Sequence, residues 1–250
     1  STLSLDFTTG VLDPRLTFTR TGNATFINSQ GYVEFAGQNV LVQTANMTLW
    51  SAPTNIDTSA WGSKSDPFGG TTAVRLTPTG TVTPAQHYLG SAPVSSATLG
   101  NGLRTVYSVY AKAATSRYPI FGMVVDAGNA QASFVLTGAG EGTVTTHLGT
   151  NVSAYMTAIG GGWYRCVMTW PSSTTSASCW CSILANNTTV PSGQTFVAQS
   201  DDVSGGHGIF VYGAQWEQGS IPHAFIPTTG SAKSDIPRFD YDPTSIGTPR

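Results

Sequence analysis

The 250-residue chain carries a net charge of −2 at neutral pH, with only 10% charged residues against 40% hydrophobic ones. Its surface must therefore consist largely of hydroxyls and amides, and the basic footprint needed to grip phosphate backbones is missing, which argues against a nucleic-acid partner. No apolar run reaches the roughly 18 residues of a spanning helix, and the first residues lack the basic, apolar, then small-residue order of an export signal, so membrane insertion is not expected.

Gly, Pro and Ser/Thr clusters interrupt the sequence too often for a long amphipathic helix. Short alternating runs bounded by turn residues predict an all-β sandwich or barrel with little helix. Residues 1–43 include LTFTRTGNATFINSQGYVEFA, in which two turn signals separate alternating apolar positions. This pattern predicts a small N-terminal β-meander, too short to hold a deep core alone.

Residues 44–231 form the expected body. Its clearest strands are RTVYSVYAKA, PIFGMVVDA, QASFVLTG, GWYRCVMTW, SCWCSILA and GIFVYGAQWEQG. In the first, Val106, Ser108 and Tyr110 take one face and Tyr107, Val109 and Ala111 the other, so protein should cover both. In the last, strict alternation puts Ile209, Val211, Gly213 and Gln215 on one face and Phe210, Tyr212, Ala214 and Trp216 on the other. Gly213 and Ala214 are small enough to let a neighbour come close. Residues 232–250 carry three prolines and no apolar alternation, which predicts an extended arm or linker outside any central sheet. Phe18, Phe26, Tyr32, Phe35, Phe239 and Tyr241 in the two flanks are costly to leave in water. They need a partner surface: the body, another copy, or a different protein.

The three cysteines, Cys166, Cys179 and Cys181, cannot make a closed disulfide framework. Buried structural thiols are expected, although Cys179 and Cys181 on one strand face also leave a zinc site conceivable. Catalytic signatures are scarce: there is no GxSxG, HExxH or phosphate-cradling loop, so no enzyme is expected. Asp126, Glu141 and Glu217 are the acids that distant strands could bring together for glycoside cleavage.

The succession NIDTSAW, PFGGTTAVRLTPTG, HYLGSA, TVYSVYAKA, GGWYRCVMTW and GIFVYGAQWEQGSIPHAFIPTTGSA resembles the jelly-roll, carbohydrate-binding-module-like domain of bacteriophage tail, fibre and head-appendage proteins. The likeness spans roughly residues 50–231, and GAQWEQGS…FIPTTG is its most specific part. The PRFDYDP element precedes the sandwich in that family's pattern and follows it here. The resemblance implies a non-enzymatic virion protein assembled in the host cytoplasm: a fibre, tail-appendage or receptor-binding adhesin, with a capsid decoration or head fibre as the alternative. The implied partners are other phage particle proteins, host surface polysaccharide and further copies of the chain in a homo-oligomer. It also places Trp163 and Trp216 in the core.

A sugar site needs an aromatic platform beside polar groups, because a pyranose ring has an apolar face and a polar edge. Trp61, His87, Tyr88 and Trp180 are the candidates, each weighed against ordinary core packing. No cofactor is expected beyond a structural Ca²⁺, which modules of this kind often hold. Asp201 and Asp202, ahead of VSGGHG, are its candidate ligands, or else a solvated acidic turn.

Overall fold

A computed structural model describes residues 15–16, 24–28, 30–50, 52–59, 64–79, 88–95, 102–114, 120–125, 130–136, 144–171, 176–184, 208–235, 241–242 and 245–249. The chain is all-β, as expected. Among the described residues the one helical element is a 3-10 turn at Met47–Leu49, begun by Asn46, whose side chain accepts from the Thr48 amide.

The strands run β1 (Thr25–Ile27), β2 (Val33–Phe35), β3 (Gln38–Asn39), β4 (Ala52–Thr54), β5 (Ile56–Asp57), β6 (Val74–Pro78), β7 (Tyr88–Gly90), β8 (Val94–Ser95), β9 (Arg104–Ala113) and β10 (Ile120–Val125). They continue as β11 (Ala130–Val135), β12 (Val144–Leu148), β13 (Ser153–Gly160), β14 (Trp163–Pro171), β15 (Ser176–Ala177), β16 (Cys179–Leu184), β17 (Ile209–Gln218), β18 (Lys233–Ser234), β19 (Tyr241–Asp242) and β20 (Ser245–Pro249). Two six-stranded antiparallel sheets dominate. The first has the order β12-β11-β10-β16-β7-β4 and the second β13-β14-β9-β17-β6-β5. The chain crosses between them repeatedly, so the first sheet is finished only with β16 and the second only with β17.

Their facing sides share one core. Leu89, Phe121, Met123, Phe134, Cys179 and Cys181 of the first sheet meet Leu76, Tyr107, Val109, Met168 and Trp216 of the second, giving a two-layer, sandwich-like arrangement. Trp170 and Trp216 stack at 5.7 Å between ring centroids. In β9 every residue from Thr105 to Ala111 is buried, so protein does cover both faces. All three thiols are free and buried, and the Tyr107 hydroxyl lies 3.3 Å from Cys181 Sγ. Burial pushes the Cys181 thiol up to about 12 and also raises Cys166 and Tyr107. These groups are neutral packing material at ordinary pH.

The strict alternation expected of β17 fails at one point. Tyr212 pairs with Tyr110 but Gln215 pairs with Ser108, so β17 holds one residue more than β9 over the same stretch. This is a β-bulge, and Gly213, at φ +63°, is its left-handed residue. The extra residue reverses the inside–outside order beyond it. Ala214 and Trp216 join Ile209 and Val211 in the core, while Gln215 and Glu217 join Phe210 and Tyr212 outside. A side chain at Gly213 would press on Tyr110 and Phe225, at 3.0 and 3.3 Å.

The bulge also frees the Ala214 carbonyl, and the N-terminal flank satisfies it. Buried Asn39 donates to the Ala214 and Ile226 carbonyls and accepts from the Trp216 amide, while the Val40 amide donates to the Trp216 carbonyl. Val40 and Leu41 are core residues. The flank boundary expected near residue 43 therefore falls within continuous packing, because a two-residue strand beside the bulge is too short to show any alternation. Thr44 and Thr228 close the arrangement through reciprocal hydroxyl and amide bonds.

Outside the two sheets, β1 pairs with β2, β8 with β15, β3 with β18 and β19 with β20, and β1 lies against β19. The two flanks thus meet each other, and among the described residues neither enters a six-stranded sheet. In the hairpin, Phe26 and Phe35 are half-buried while Tyr32 is 68% exposed. Phe18 and Phe239 lie outside the described residues.

Candidate functional site: the outer faces of the two sheets

On β16, alternation sends Cys179 and Cys181 into the core and Trp180 to the outer face. On β7 it sends Leu89 inward and Tyr88 outward. The register sets Trp180 opposite Gly90 and Ser182 opposite Tyr88. With no side chain on Gly90, the indole can lean diagonally over β7. It stacks on Tyr88 at 4.8 Å between ring centroids and 15° between planes. The indole also packs against the cluster of Ile120 and Val124, which Val135 joins. Both aromatic residues remain half-buried, so the pair is a flat apolar plate on rigid strands with part of its surface open to solvent. Of the four candidates for a sugar platform, the structure brings Tyr88 and Trp180 together. Trp61 and His87 lie outside the described residues, as do Asp201, Asp202, Asp126 and Glu141.

The outer face of the second sheet is built differently. Residues 221–228 lie over it as a strap held by side chains of the sheet. Glu217, 1% exposed, accepts from Gln215 Nε2 at 2.8 Å and from the His223 amide at 2.9 Å, and its second oxygen is 2.6 Å from His223 Nδ1. Gln215 also donates to the His223 and Ala224 carbonyls and accepts from the Ile226 amide. Arg165 donates to the His223 carbonyl and to Ser108 Oγ, with its guanidinium 5.3 Å from the Tyr110 ring centre. Both Glu217 oxygens are occupied in holding the strap, so this carboxylate has no open position from which to attack or protonate a substrate.

Beside the strap, a tight turn sets an aromatic knuckle on the same face. The Asp66 carboxylate accepts from the amides of Phe68, Gly70 and Thr72 and from the Thr72 hydroxyl. Burial pushes its pKa up, but these bonds outweigh burial and hold the carboxyl below the usual aspartate range. Phe68 is 64% exposed and meets Tyr110 and Tyr212 edge-on at 5.2 and 6.0 Å, and Phe225 packs against Tyr212 at 5.3 Å. Sequence reasoning missed this cluster. DPFGGTT carries the turn signal in plain view, but no local pattern tells that the turn folds onto Tyr110 and Tyr212.

Among the described residues, no three His, Cys, Asp or Glu side chains converge in a way that could hold a metal ion. No helix among them is long and apolar enough to cross a membrane. No family model matches the chain, and no curated protein matches it either.

Proposed function

We propose that the chain is a non-enzymatic structural and recognition module of a bacteriophage particle. On this reading its sheets form a jelly roll of the carbohydrate-binding type, carried on a fibre or tail appendage of the virion and directed at host surface polysaccharide. The observation that carries the recognition half is the Tyr88–Trp180 plate. A stacked aromatic pair on adjacent strands offers the apolar face of a sugar ring a fixed surface at little entropic cost, and the hydroxyl-rich sequence around it suits polar ring edges. The particle half rests on the GAQWEQGS…FIPTTG likeness, and structural roles support it: Gly213 makes the bulge, Trp216 fills the core and Thr228 locks onto Thr44.

The second reading, a capsid decoration or head fibre, is favoured by the flanks. Their hairpin leaves Tyr32 and Val33 exposed at 68% and 70%, as an attachment element that docks on another particle protein would. Polysaccharide cleavage is the weakest reading, because Glu217 is committed to the strap.

The test titrates the full chain with a panel of purified bacterial surface polysaccharides, following tryptophan fluorescence. At least one should bind the parent chain and fail to bind Trp180→Ala. Binding that survives in Trp180→Ala unchanged would remove the plate from the reading. Immunogold electron microscopy of particles, with an antibody to this chain, then decides between appendage and capsid.

A further inference from the structure

The strands of the first sheet, β4, β7, β10, β11, β12 and β16, contain no Asp, Glu, Lys or Arg. Those of the second carry Arg75, Arg104, Lys112 and Arg165. Because Leu76, Val109, Ala111 and Cys166 lie in the core, alternation turns all four cations to the outer face. The acids on that side are committed within the chain: Asp57 to Ser59, Asp66 to its own turn and Glu217 to the strap. Arg104 and Arg165 donate to neutral acceptors, the first to Ser153, Thr169 and the Asn151 carbonyl and the second to Ser108 and strap carbonyls. Among the described residues Lys112 makes no hydrogen bond, and none of these three cations forms an ion pair. The face therefore presents positive charge that no acid of the chain neutralises by contact.

Lys112 stands where that charge meets the aromatic knuckle. The register sets Phe210 opposite Lys112 on one side and Arg75 on the other. Two residues on, Tyr212 is opposite Tyr110, and Phe68 packs edge-on against both. Phe210, Tyr212 and Phe225 are half-buried and Phe68 is mostly exposed, so the rings offer apolar surface to solvent. On the far side of Lys112 lies the exposed turn Gly160–Gly162. A Cβ at Gly162 would sit 3.4 Å from Lys112 Cε, and one at Gly160 would meet nothing within 4 Å. The lysine stem thus lies along a turn that is open to solvent.

We propose that this part of the second sheet is a polysaccharide site separate from the Tyr88–Trp180 plate, and that it takes an acidic glycan, a chain bearing hexuronate residues. Each such residue has one carboxylate and an apolar ring face. The carboxylate pairs with Lys112, and the chain runs from there across Phe210 and Tyr212 toward Phe68. One unpaired ammonium beside a row of rings matches that combination of charge and apolar surface. It does not match a polyphosphate backbone, which needs a cation at nearly every step. The inference shares with the proposed function only the class of ligand, and it stands on the other sheet and on other residues.

The test is calorimetric titration of the full chain with oligosaccharides of galacturonate, glucuronate and mannuronate, each beside its carboxyl-reduced, neutral form. At least one acidic oligosaccharide should bind about tenfold or more tighter than its reduced form, and its binding should weaken as salt rises. Lys112→Gln and Phe68→Ala should each weaken it about fivefold or more, with thermal unfolding showing that both variants remain folded. Lys233→Gln, which removes an exposed charge from β18, should keep binding within about twofold. The proposal is overturned if no acidic oligosaccharide binds, or if the reduced forms or single-stranded DNA bind as well as the acidic ones. Uronate binding that is lost in Trp180→Ala but kept in Lys112→Gln also overturns it and leaves the plate as the site. Uronate binding that depends on Lys112, with no polysaccharide sensing Trp180→Ala, upholds this face and removes the plate.

Discussion

The outer faces of the two sheets solve the same problem in opposite ways. The second sheet folds its own chain back over itself and fastens it with a buried carboxylate, an amide and a guanidinium, each bonded to the strap. The first leaves an aromatic pair half-open beside aliphatic side chains, with no such fastening among the described residues. Polar groups buried in a network are costly when any member is lost, so the strapped face specifies the fold. The open plate can be altered with little effect on stability, and this is the latitude a recognition surface needs.

Perturbing each face in turn should expose that difference. The largest effect is expected at Glu217→Ala, which strands Gln215, the His223 amide and the imidazole together and should cost about 3 kcal/mol or more. Chemical denaturation measures it, and a loss below about 1 kcal/mol would mean that water replaces the carboxylate. Gly213→Val comes next, at about 2–3 kcal/mol, because it forces a branched side chain into the left-handed region and against Tyr110 and Phe225.

Trp180→Ala should cost only about 1 kcal/mol, since the indole is half-buried, while removing polysaccharide binding. Comparable stability losses at Trp180 and Glu217 would erase the distinction between the two faces. The smallest effect is electrostatic. The folded Asp66 carboxyl is held below its ordinary pKa of 3.8, so its contribution is present above that value and is lost as pH falls through the lower, folded value. Amide exchange at Phe68, Gly70 and Thr72 should therefore accelerate below about pH 4, and Asp66→Asn should flatten that dependence.

The strands of the body were legible because each reports itself locally. RTVYSVYAKA is apolar on both faces and is buried on both. Cys179 and Cys181 share a face as their spacing requires. The inside–outside order of β17 was misread beyond Gly213, since a bulge leaves no mark in a single strand except a glycine, and many glycines are not bulges. The candidate site was half legible. Tyr88 and Trp180 could be named as aromatics in strands, but their stacking depends on β7 pairing with β16, strands far apart in sequence. The tie between Asn39 and the bulged carbonyl had no signal at all, because a short polar stretch reads as loop.

The strap has a consequence for how this surface can change. Arg165 and Gln215 reach main-chain carbonyls of residues 222–224, Asn39 reaches that of Ile226, and Glu217 and Gln215 receive the amides of His223 and Ile226. Apart from the His223 ring, these anchors grip a backbone that every sequence shares. Outward positions such as Ile221, 65% exposed, can then be exchanged by mutation or design while the path of the segment stays fixed. The strap is a built-in display loop, tolerant of diversification because its attachment is indifferent to its own outward side chains.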